Sequence, residues 1–329
     1  MTQSSPKQTS TAVESEGQMI RSGFAALVGR PNAGKSTLVN ALVGAKVAIV
    51  SSKPQTTRHV IRGILNRVDA QLILVDTPGL HRPRTLLGER LNELVYETWD
   101  GVDVIGVCLP ANERIGPGDR FLLGEIAKLP QRPALVALAT KADLVSPARL
   151  AEHLLSIDTL TLESDSQPDN DRLDWAAIIP VSALTGSQVD VVADEFIKLL
   201  PAGPRYFPEG EVSDEPTETA IAELIREAAL EGVRDELPHS IMVTIDEMGL
   251  REGRAADKPL LDIFASLVVE RDSQKPIVIG HRGERLRDIG SLARQQITAL
   301  LGTPVHLALH VKVMKDWQRD PKQLNRLGF

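Results

Sequence analysis

The feature that most constrains the fold of this chain is residues 29–37, which fit the pattern G-x-x-x-x-G-K-[ST]. Apolar residues 24–28 before it predict a buried strand, and apolar residues spaced through 38–43 predict a helix packed on a sheet. A strand, a glycine-rich turn and a helix in this order form the setting in which such a loop binds phosphate. Backbone N–H groups point at the anion, and the helix N-terminus adds a partial positive charge. We therefore favour a phosphate-binding loop over a chance match on a surface turn.

The residues of this loop have separate expected roles. Gly29 and Gly34 let the backbone approach a phosphate without a Cβ clash. Lys35 is long enough to reach the β- and γ-phosphates, and the hydroxyl of Ser36 is a ligand for Mg²⁺. The predicted nucleotide contacts of the loop are Gly29, Arg30, Pro31, Asn32, Ala33, Gly34, Lys35, Ser36 and Thr37.

Length and composition indicate a folded protein of two domains. The chain has 329 residues, 42% of them hydrophobic, which is enough for a sizeable core. Its single cysteine, Cys108, excludes a disulfide framework and a multi-cysteine metal site, and it is typical of a reducing cytoplasm. Cys108 lies in an apolar run that predicts a central strand, so we expect it in the core. Residues 1–20 lack the apolar region of a signal peptide and predict a disordered tail. No apolar run approaches the ~20 residues that cross a bilayer.

Charge is unevenly distributed along the chain. The formal net charge is −7, yet residues 271–329 carry 11 Lys and Arg against 5 Asp and Glu. A positive end of this kind suits a polyanion such as nucleic acid, although solvated basic side chains are common.

A polar loop, residues 45–59, follows the first predicted helix and contains a proline. A loop at this place in such a fold brings a hydroxyl to Mg²⁺ when the γ-phosphate is present. We assign this role to Thr57, with Thr56 as the alternative, and an N-cap or turn role remains open for each.

Residues 60–66 and 71–75 predict an antiparallel hairpin whose second strand ends at Asp76. A carboxylate at the end of a buried strand beside the phosphate loop suits Mg²⁺. The backbone N–H of Gly79 is expected to bond the γ-phosphate, which makes residues 80–88 a second switch. A leucine at position 80 cannot hydrogen-bond an attacking water, so we expect slow unaided hydrolysis. The predicted contacts here are Asp76, Thr77, Pro78, Gly79 and Leu80, and the predicted Mg²⁺ ligands are Ser36, Thr57 and Asp76.

Two further loops follow predicted strands, 134–139 and 178–181, and suit a guanine base. The carboxylate of Asp143 accepts from the N1–H and the N2 amino group of guanine, and the N–H of Ala183 suits guanine O6. Adenine offers neither donor, so charge-assisted bonds of about 1.5–3 kcal/mol each imply at least ~10²-fold preference. The predicted base contacts are Thr140, Lys141, Asp143, Ser182, Ala183 and Leu184.

These loops converge at the carboxyl ends of strands, where open α/β sheets bind their ligands. We therefore predict an α/β P-loop GTPase domain over 21–202, with a mostly parallel six-stranded sheet and helices on both faces. Its helices are predicted near 85–98, 118–128 and 188–200. Residues 163–171 predict a surface insertion without evident chemistry, and residues 203–215 a linker.

From residue 216 the element order becomes helix, strand, strand, short helix, G-x-x-G, helix and strand, which predicts an α+β RNA-binding KH domain of type II over 216–329. The predicted bounds are 217–230, 240–248, 260–269, 286–300 and 305–313. Residues 277–279 alone predict a strand, so the short helix is inferred from the topology. The G-x-x-G lets a nucleic-acid backbone pass close to a helix N-terminus, and a purely structural turn is the alternative. The predicted RNA contacts are Ile279, Gly280, His281, Arg282, Gly283 and Arg285.

Together these motifs resemble the Era family of bacterial GTPases over residues 22–329. The matching stretches are residues 29–37, 55–59, 76–81, 278–283, 304–307 and 317–329. The resemblance implies a monomeric cytoplasmic GTPase that binds GTP or GDP with Mg²⁺, binds the 3′ end of 16S ribosomal RNA and assists 30S subunit assembly. It also implies partial peripheral attachment to the inner face of the membrane. The residues expected to act in hydrolysis are Lys35, Thr57, Gly79 and Asn32. Some relatives hold K⁺ through an asparagine at the position of Asn32, and a loop-bracing role is the alternative.

The chain departs from the family at two places. The family usually has asparagine where this chain has Thr140, and that amide ties the base-binding loop to the phosphate loop and to guanine N7. We expect guanine choice to survive through Asp143 and nucleotide affinity to be affected. Residues 212–219 are also more acidic than in the family.

Two other functions are compatible with parts of the sequence. An RNA-binding module with a decayed nucleotide site is disfavoured by the intact Lys35, Ser36, Thr57 and Asp76. A tRNA-modifying GTPase of related sequence carries a C-terminal cysteine, whereas the sole cysteine here is Cys108.

Overall fold

The computed structural model describes residues 20–50, 57–80, 83, 85–131, 133–161, 173–232, 240–255 and 257–329. Four predictions concern positions outside the described residues: most of the N-terminal tail, Thr56, part of the second switch, and the polar insertion 163–171.

Within the described residues, the first domain is built on a seven-stranded sheet of order β2-β3-β1-β4-β5-β6, with β7 beside β1. Its strands are β1 (Ile20–Val28), β2 (Ile61–Asn66), β3 (Ala70–Asp76), β4 (Val104–Cys108), β5 (Ala134–Ala139), β6 (Trp175–Pro180) and β7 (Ala202–Gly203). The β2–β3 pair and the β1–β7 pair are antiparallel, and the other pairs are parallel. The predicted mostly parallel sheet and its hairpin are confirmed.

Helices cover both faces of this sheet: α1 (Lys35–Val43), α2 (Leu86–Asp100), α3 (Pro117–Ile126), α4 (Pro147–Asp158) and α5 (Val189–Leu199). Successive residues of β1 point to opposite faces because the side-chain period of a strand is two. Ala25 and Leu27 belong to the core with α1 and α5, whereas Ala26 and Val28 belong to the core with α2, α3 and α4. Cys108 is fully buried, as expected, and burial raises the pKa of its thiol to about 12.

Two elements of this domain were not predicted. The short strand β7 falls at the end of the first domain, where Pro201 and Pro204 indicated only a linker. Helix α4 was missed, although it begins with the serine–proline pair that often starts a helix, and the Ser146 hydroxyl caps it by accepting from the N–H of Arg149.

The second domain has a three-stranded sheet of order β10-β9-β8, with β9–β10 parallel and β8–β9 antiparallel. Its elements are α6 (Thr217–Leu230), β8 (Met242–Leu250), β9 (Leu261–Val269), α7 (Lys275–Ile279), α8 (Glu284–Leu301), β10 (Val305–Val313) and α9 (Pro321–Arg326). The short helix α7, inferred from topology against propensity, is confirmed. Ile289, Ala293 and Ile297 of α8 are buried as their spacing predicts, but Leu300 is 47% exposed at the end of the helix.

The C-terminal tail, residues 317–329, lies between the two domains. Trp317, Leu324 and Leu327 pack with Leu87 and Leu91 of α2 and with the outer face of the β8–β9 pair. The tail therefore joins the predicted second switch region to the second domain.

Candidate functional site: a nucleotide crevice and a G-x-x-G turn

The phosphate loop connects β1 to α1, as its pattern requires. Lys35 is 7% exposed, and its ammonium donates to the carbonyls of Gly29 (3.0 Å) and Arg30 (3.1 Å). Burial lowers the pKa of Lys35, and the charge of Asp76 opposes that shift. The ammonium group of Lys35 is thus held inside the loop, where it would contact the phosphates of a bound nucleotide.

The three predicted metal ligands come together at the base of this loop. Asp76 Oδ2 accepts hydrogen bonds from Ser36 Oγ (2.6 Å) and Thr57 Oγ1 (3.1 Å), and the two hydroxyl oxygens are 3.2 Å apart. Asp76 is fully buried, and its Oδ1 has no hydrogen-bond partner. Burial raises the pKa of this carboxyl, opposed by Lys35 and by the two hydroxyls. A buried carboxylate with one unpartnered oxygen beside two hydroxyls fits a hard cation such as Mg²⁺, which prefers oxygen ligands.

The segment after β3 lies against the phosphate loop. A Cβ at Gly79 would be 3.2 Å from the backbone nitrogen of Pro31, so the two loops approach closely. Thr77 donates to the carbonyl of Leu27 (3.3 Å). Leu80 is 8% exposed and packs in the core with α2 and α3.

An arginine bridge that sequence reasoning missed supports the phosphate loop. Arg30 Nε donates to Asp119 Oδ1 (2.7 Å), and its guanidinium lies 3.1 Å from Glu113. Asp119 is buried and also accepts from the N–H of Gly116, so it caps α3 as well. Asn32, at the tip of the loop, is exposed and has a left-handed φ of 62°.

The predicted base-binding loops lie side by side. The N–H of Ala142 donates to the carbonyl of Val181 (3.2 Å), which links the loop after β5 to the loop after β6. Lys141 has a left-handed φ of 56°, Asp143 is exposed, and Ser182 Oγ accepts from the N–H of Thr185. The neighbouring Ala183 is half-buried and Leu184 is 82% exposed.

The base-binding loop is tied to the phosphate loop without the asparagine that is usual in the family. The Thr140 hydroxyl donates to the carbonyl of Ala33 at 2.7 Å, and the expected effect on nucleotide affinity stays a prediction. The Thr140 hydroxyl reaches the Ala33 carbonyl because β5 ends directly beside the phosphate loop, so a short side chain is long enough to connect the two.

The G-x-x-G turn lies between α7 and α8 and presents a basic edge. Gly280 needs to be glycine, since its φ is 74° and a Cβ there would lie 2.6 Å from the Cβ of Arg285. His281 and Arg282 are exposed, whereas Ile279 and Gly283 are half-buried. Arg285 instead donates to the carbonyls of Ala229 (3.2 Å) and Glu231 (2.7 Å), which caps the end of α6. The structure thus gives Arg285 an internal partner that the sequence did not indicate.

The acidic residues 212–219 contact the first domain. The N–H of Ile64 donates to the carbonyl of Val212 (2.9 Å), and Arg62 pairs with Asp214 at 2.7 Å. The acidic character of this segment therefore complements a basic residue of β2.

Comparison with known proteins gives a consistent result. Residues 24–141 match the 50S ribosome-binding GTPase family and residues 236–318 match the KH domain family. The GTPase Era of a Nocardioides species is 65% identical over 309 residues, covering 94% of this chain and 96% of that protein. The GTPase Era of Streptomyces coelicolor is 62% identical over 322 residues, covering 98% and 99%.

Solved structures agree over both domains. A crystal structure of a variant of Aquifex aeolicus Era bound to GDP·AlF₄⁻ is 34% identical, with a TM-score of 0.85, covering 94% of this chain and 99% of that one. A crystal structure of Era in complex with MgGDPNP and nucleotides 1506–1542 of 16S ribosomal RNA is 35% identical, with the same TM-score and coverage. The fold, the motifs and the relatives agree: this chain belongs to the Era family of GTPases.

Proposed function

We propose that this GTPase holds its nucleotide with Mg²⁺, binds the 3′ end of 16S ribosomal RNA through its KH domain, and assists assembly of the 30S subunit in the cytoplasm. The observation that carries the proposal is the Era complex, 35% identical to this chain, that contains both MgGDPNP and nucleotides 1506–1542 of 16S ribosomal RNA. The buried oxygen cluster and the exposed G-x-x-G turn of this chain support it.

The residues around the phosphate loop suit slow GTP hydrolysis. Ser36, Thr57 and Asp76 would hold Mg²⁺, which when bound neutralises charge on the β- and γ-phosphate oxygens. Lys35 would stabilise the charge that develops during phosphoryl transfer, and the N–H of Gly79 would bond the γ-phosphate. Because the Leu80 side chain is buried in the core, water has to be oriented by another group, a cation or a partner.

The RNA-binding part of the proposal rests on an exposed basic turn at a helix N-terminus. Arg282 is exposed and lies between two glycines of positive φ, so an RNA backbone can approach it closely. Each phosphate that a cation neutralises on a single strand contributes about −0.7 to the slope of log K against log salt concentration.

The test measures this slope for a single-stranded RNA with the sequence of the 16S 3′ end and for a scrambled RNA. Arg282→Ala should reduce the slope by ~0.7 and weaken binding. The matched control is Arg120→Ala, an exposed arginine on α3 of the other domain, which should leave both unchanged. Equal affinity for the two RNAs, or equal slopes for the two variants, would contradict the proposal.

Two finer features stay predictions from the family resemblance: K⁺ beside Asn32, and peripheral attachment to the membrane. Among the described residues, no helix is long and apolar enough to cross a membrane.

A further inference from the structure

The hydrogen-bonding capacity of Thr140 is limited by the contact it already makes. A threonine hydroxyl has one proton to donate, and a backbone carbonyl can only accept. At 2.7 Å from the Ala33 carbonyl, the Thr140 hydroxyl must therefore be the donor. Thr140 is 4% exposed. A Cβ added to Gly34 would lie 3.8 Å from the Cβ of Thr140, so Thr140 is packed on the phosphate loop. The hydroxyl oxygen of Thr140 can still accept a hydrogen bond, but it has no second hydrogen to donate.

A guanine base presents donors and acceptors along its edges. Asp143 suits the N1–H and N2 amino donors, and the N–H of Ala183 suits the O6 acceptor. The ring nitrogen N7 is also an acceptor, and a side chain recognises it only by donating a hydrogen bond. The side chain at position 140 lies between the phosphate loop and the base-binding loops, and its single proton is committed to Ala33. An asparagine there would have two amide hydrogens, one for the carbonyl and one for the base.

We propose that Thr140 fixes the base-binding loop to the phosphate loop without contacting guanine N7, so that this GTPase binds 7-deazaguanine nucleotides as tightly as guanine nucleotides. The proposal rests on the nucleotide site described above and concerns which edge of the base that site recognises. Thr140 is a positioning residue, because it acts through Ala33.

The test compares the dissociation constants of GDP and 7-deaza-GDP by titration calorimetry of the full chain with Mg²⁺. For the parent protein, the two constants should agree within about twofold. Thr140→Asn should prefer GDP by about 2- to 13-fold, the equivalent of one ordinary hydrogen bond. Thr140→Val, which keeps the shape but loses the hydroxyl, should weaken both nucleotides by the same factor. Thr140→Ser, which keeps the hydroxyl, should bind both nucleotides as tightly as the parent protein.

A parent protein that prefers GDP by more than about twofold would overturn the proposal, since another donor would then serve N7. A Thr140→Asn variant that binds GDP without any preference over 7-deaza-GDP would overturn it as well. No heat from either nucleotide with the parent protein would overturn the nucleotide site itself, and the N7 proposal with it.

Discussion

Arg58, which follows the predicted metal ligand Thr57, is buried in the contact between the two domains. It is 2% exposed, and its Nη1 donates to the carbonyl of Ile241 at 2.8 Å. Its guanidinium carbon lies 5.6 Å from the ring centroid of Trp317. Burial and then Arg226 lower its pKa to about 9, whereas Glu223 opposes the shift. This one side chain thus connects the segment that carries Thr57 to Ile241, the residue before β8, and to the C-terminal tail.

Replacing Arg58 with alanine should loosen the contact between the domains. A hydrogen bond from a charged donor contributes about 1.5–3 kcal/mol, and a cation–π contact about 0.5–2 kcal/mol. Relief of the buried charge beside Arg226 offsets part of this sum. We expect a net loss of about 2 kcal/mol, or roughly a 30-fold rise in the population of the opened state.

Hydrogen exchange at one amide reports this opening directly. The N–H of Leu87, in the first turn of α2, has no partner within its helix and donates to the carbonyl of Gln318 in the tail (3.0 Å). Its protection should fall roughly 30-fold in Arg58→Ala, while amides in the centre of β3 keep theirs. Since Thr57 and Arg58 are consecutive, Leu87 exchange should also differ between the GDP-bound protein and the protein bound to a GTP analogue.

The matched control is Arg62→Ala, which removes an arginine that pairs with Asp214 at the surface. An exposed pair contributes about 0–1 kcal/mol, so protection at Leu87 should change less than about fivefold. Unchanged protection in Arg58→Ala, or an equal loss in both variants, would refute the reasoning.

Three further outcomes are expected. Asp76→Asn should abolish the Mg²⁺-dependent part of the thermal stabilisation by GDP, measured with and without chelator, because it removes the charged ligand. Burial, then Glu223 and then Asp214 raise the pKa of Glu215 to about 7, so its contribution to stability is full below the ordinary value of 4.5 and is lost as the pH rises through 7. Glu215→Gln should therefore match the parent in urea unfolding near pH 4.5 and be more stable than the parent at pH 8. If Asn32 holds K⁺, single-turnover hydrolysis should be faster in K⁺ than in Na⁺ and lose this difference in Asn32→Ala; equal rates for the parent would end the hypothesis.

The sequence predicted which side chains meet beside the phosphate loop because they belong to short motifs near the ends of strands. Ser36, Thr57 and Asp76 are far apart in sequence, but Ser36 lies in the first turn of α1, Thr57 lies in the loop before β2 and Asp76 ends β3, and these elements are neighbours in the fold. The short helix α7 was also predicted, although the propensity of its residues favoured a strand. The order of the elements around it matches the KH topology, which has a helix at this place.

Other features depend on partners that no local pattern reveals. Arg285 follows a G-x-x-G turn and was expected to face RNA, yet the end of α6 supplies carbonyls within its reach. The hydrogen bond from Thr140 to Ala33 was also not foreseen, because a family pattern records which residue is usual and not how short the distance to the phosphate loop is.

The contact between the domains was the least predictable part of the molecule. Arg58 lies in a polar loop, so local sequence places it in solvent, and the tail that covers it is about 260 residues away. Next to it, the ring of His59 stacks on Phe329 with centroids 5.0 Å apart. Burial lowers the pKa of His59, so this ring favours its neutral form. Arg58 and His59 thus contact Trp317 and Phe329, two residues that no local pattern brings to this part of the chain. Because the predicted metal ligand Thr57 is followed directly by two residues that contact the second domain, this segment is suited to link the two sites.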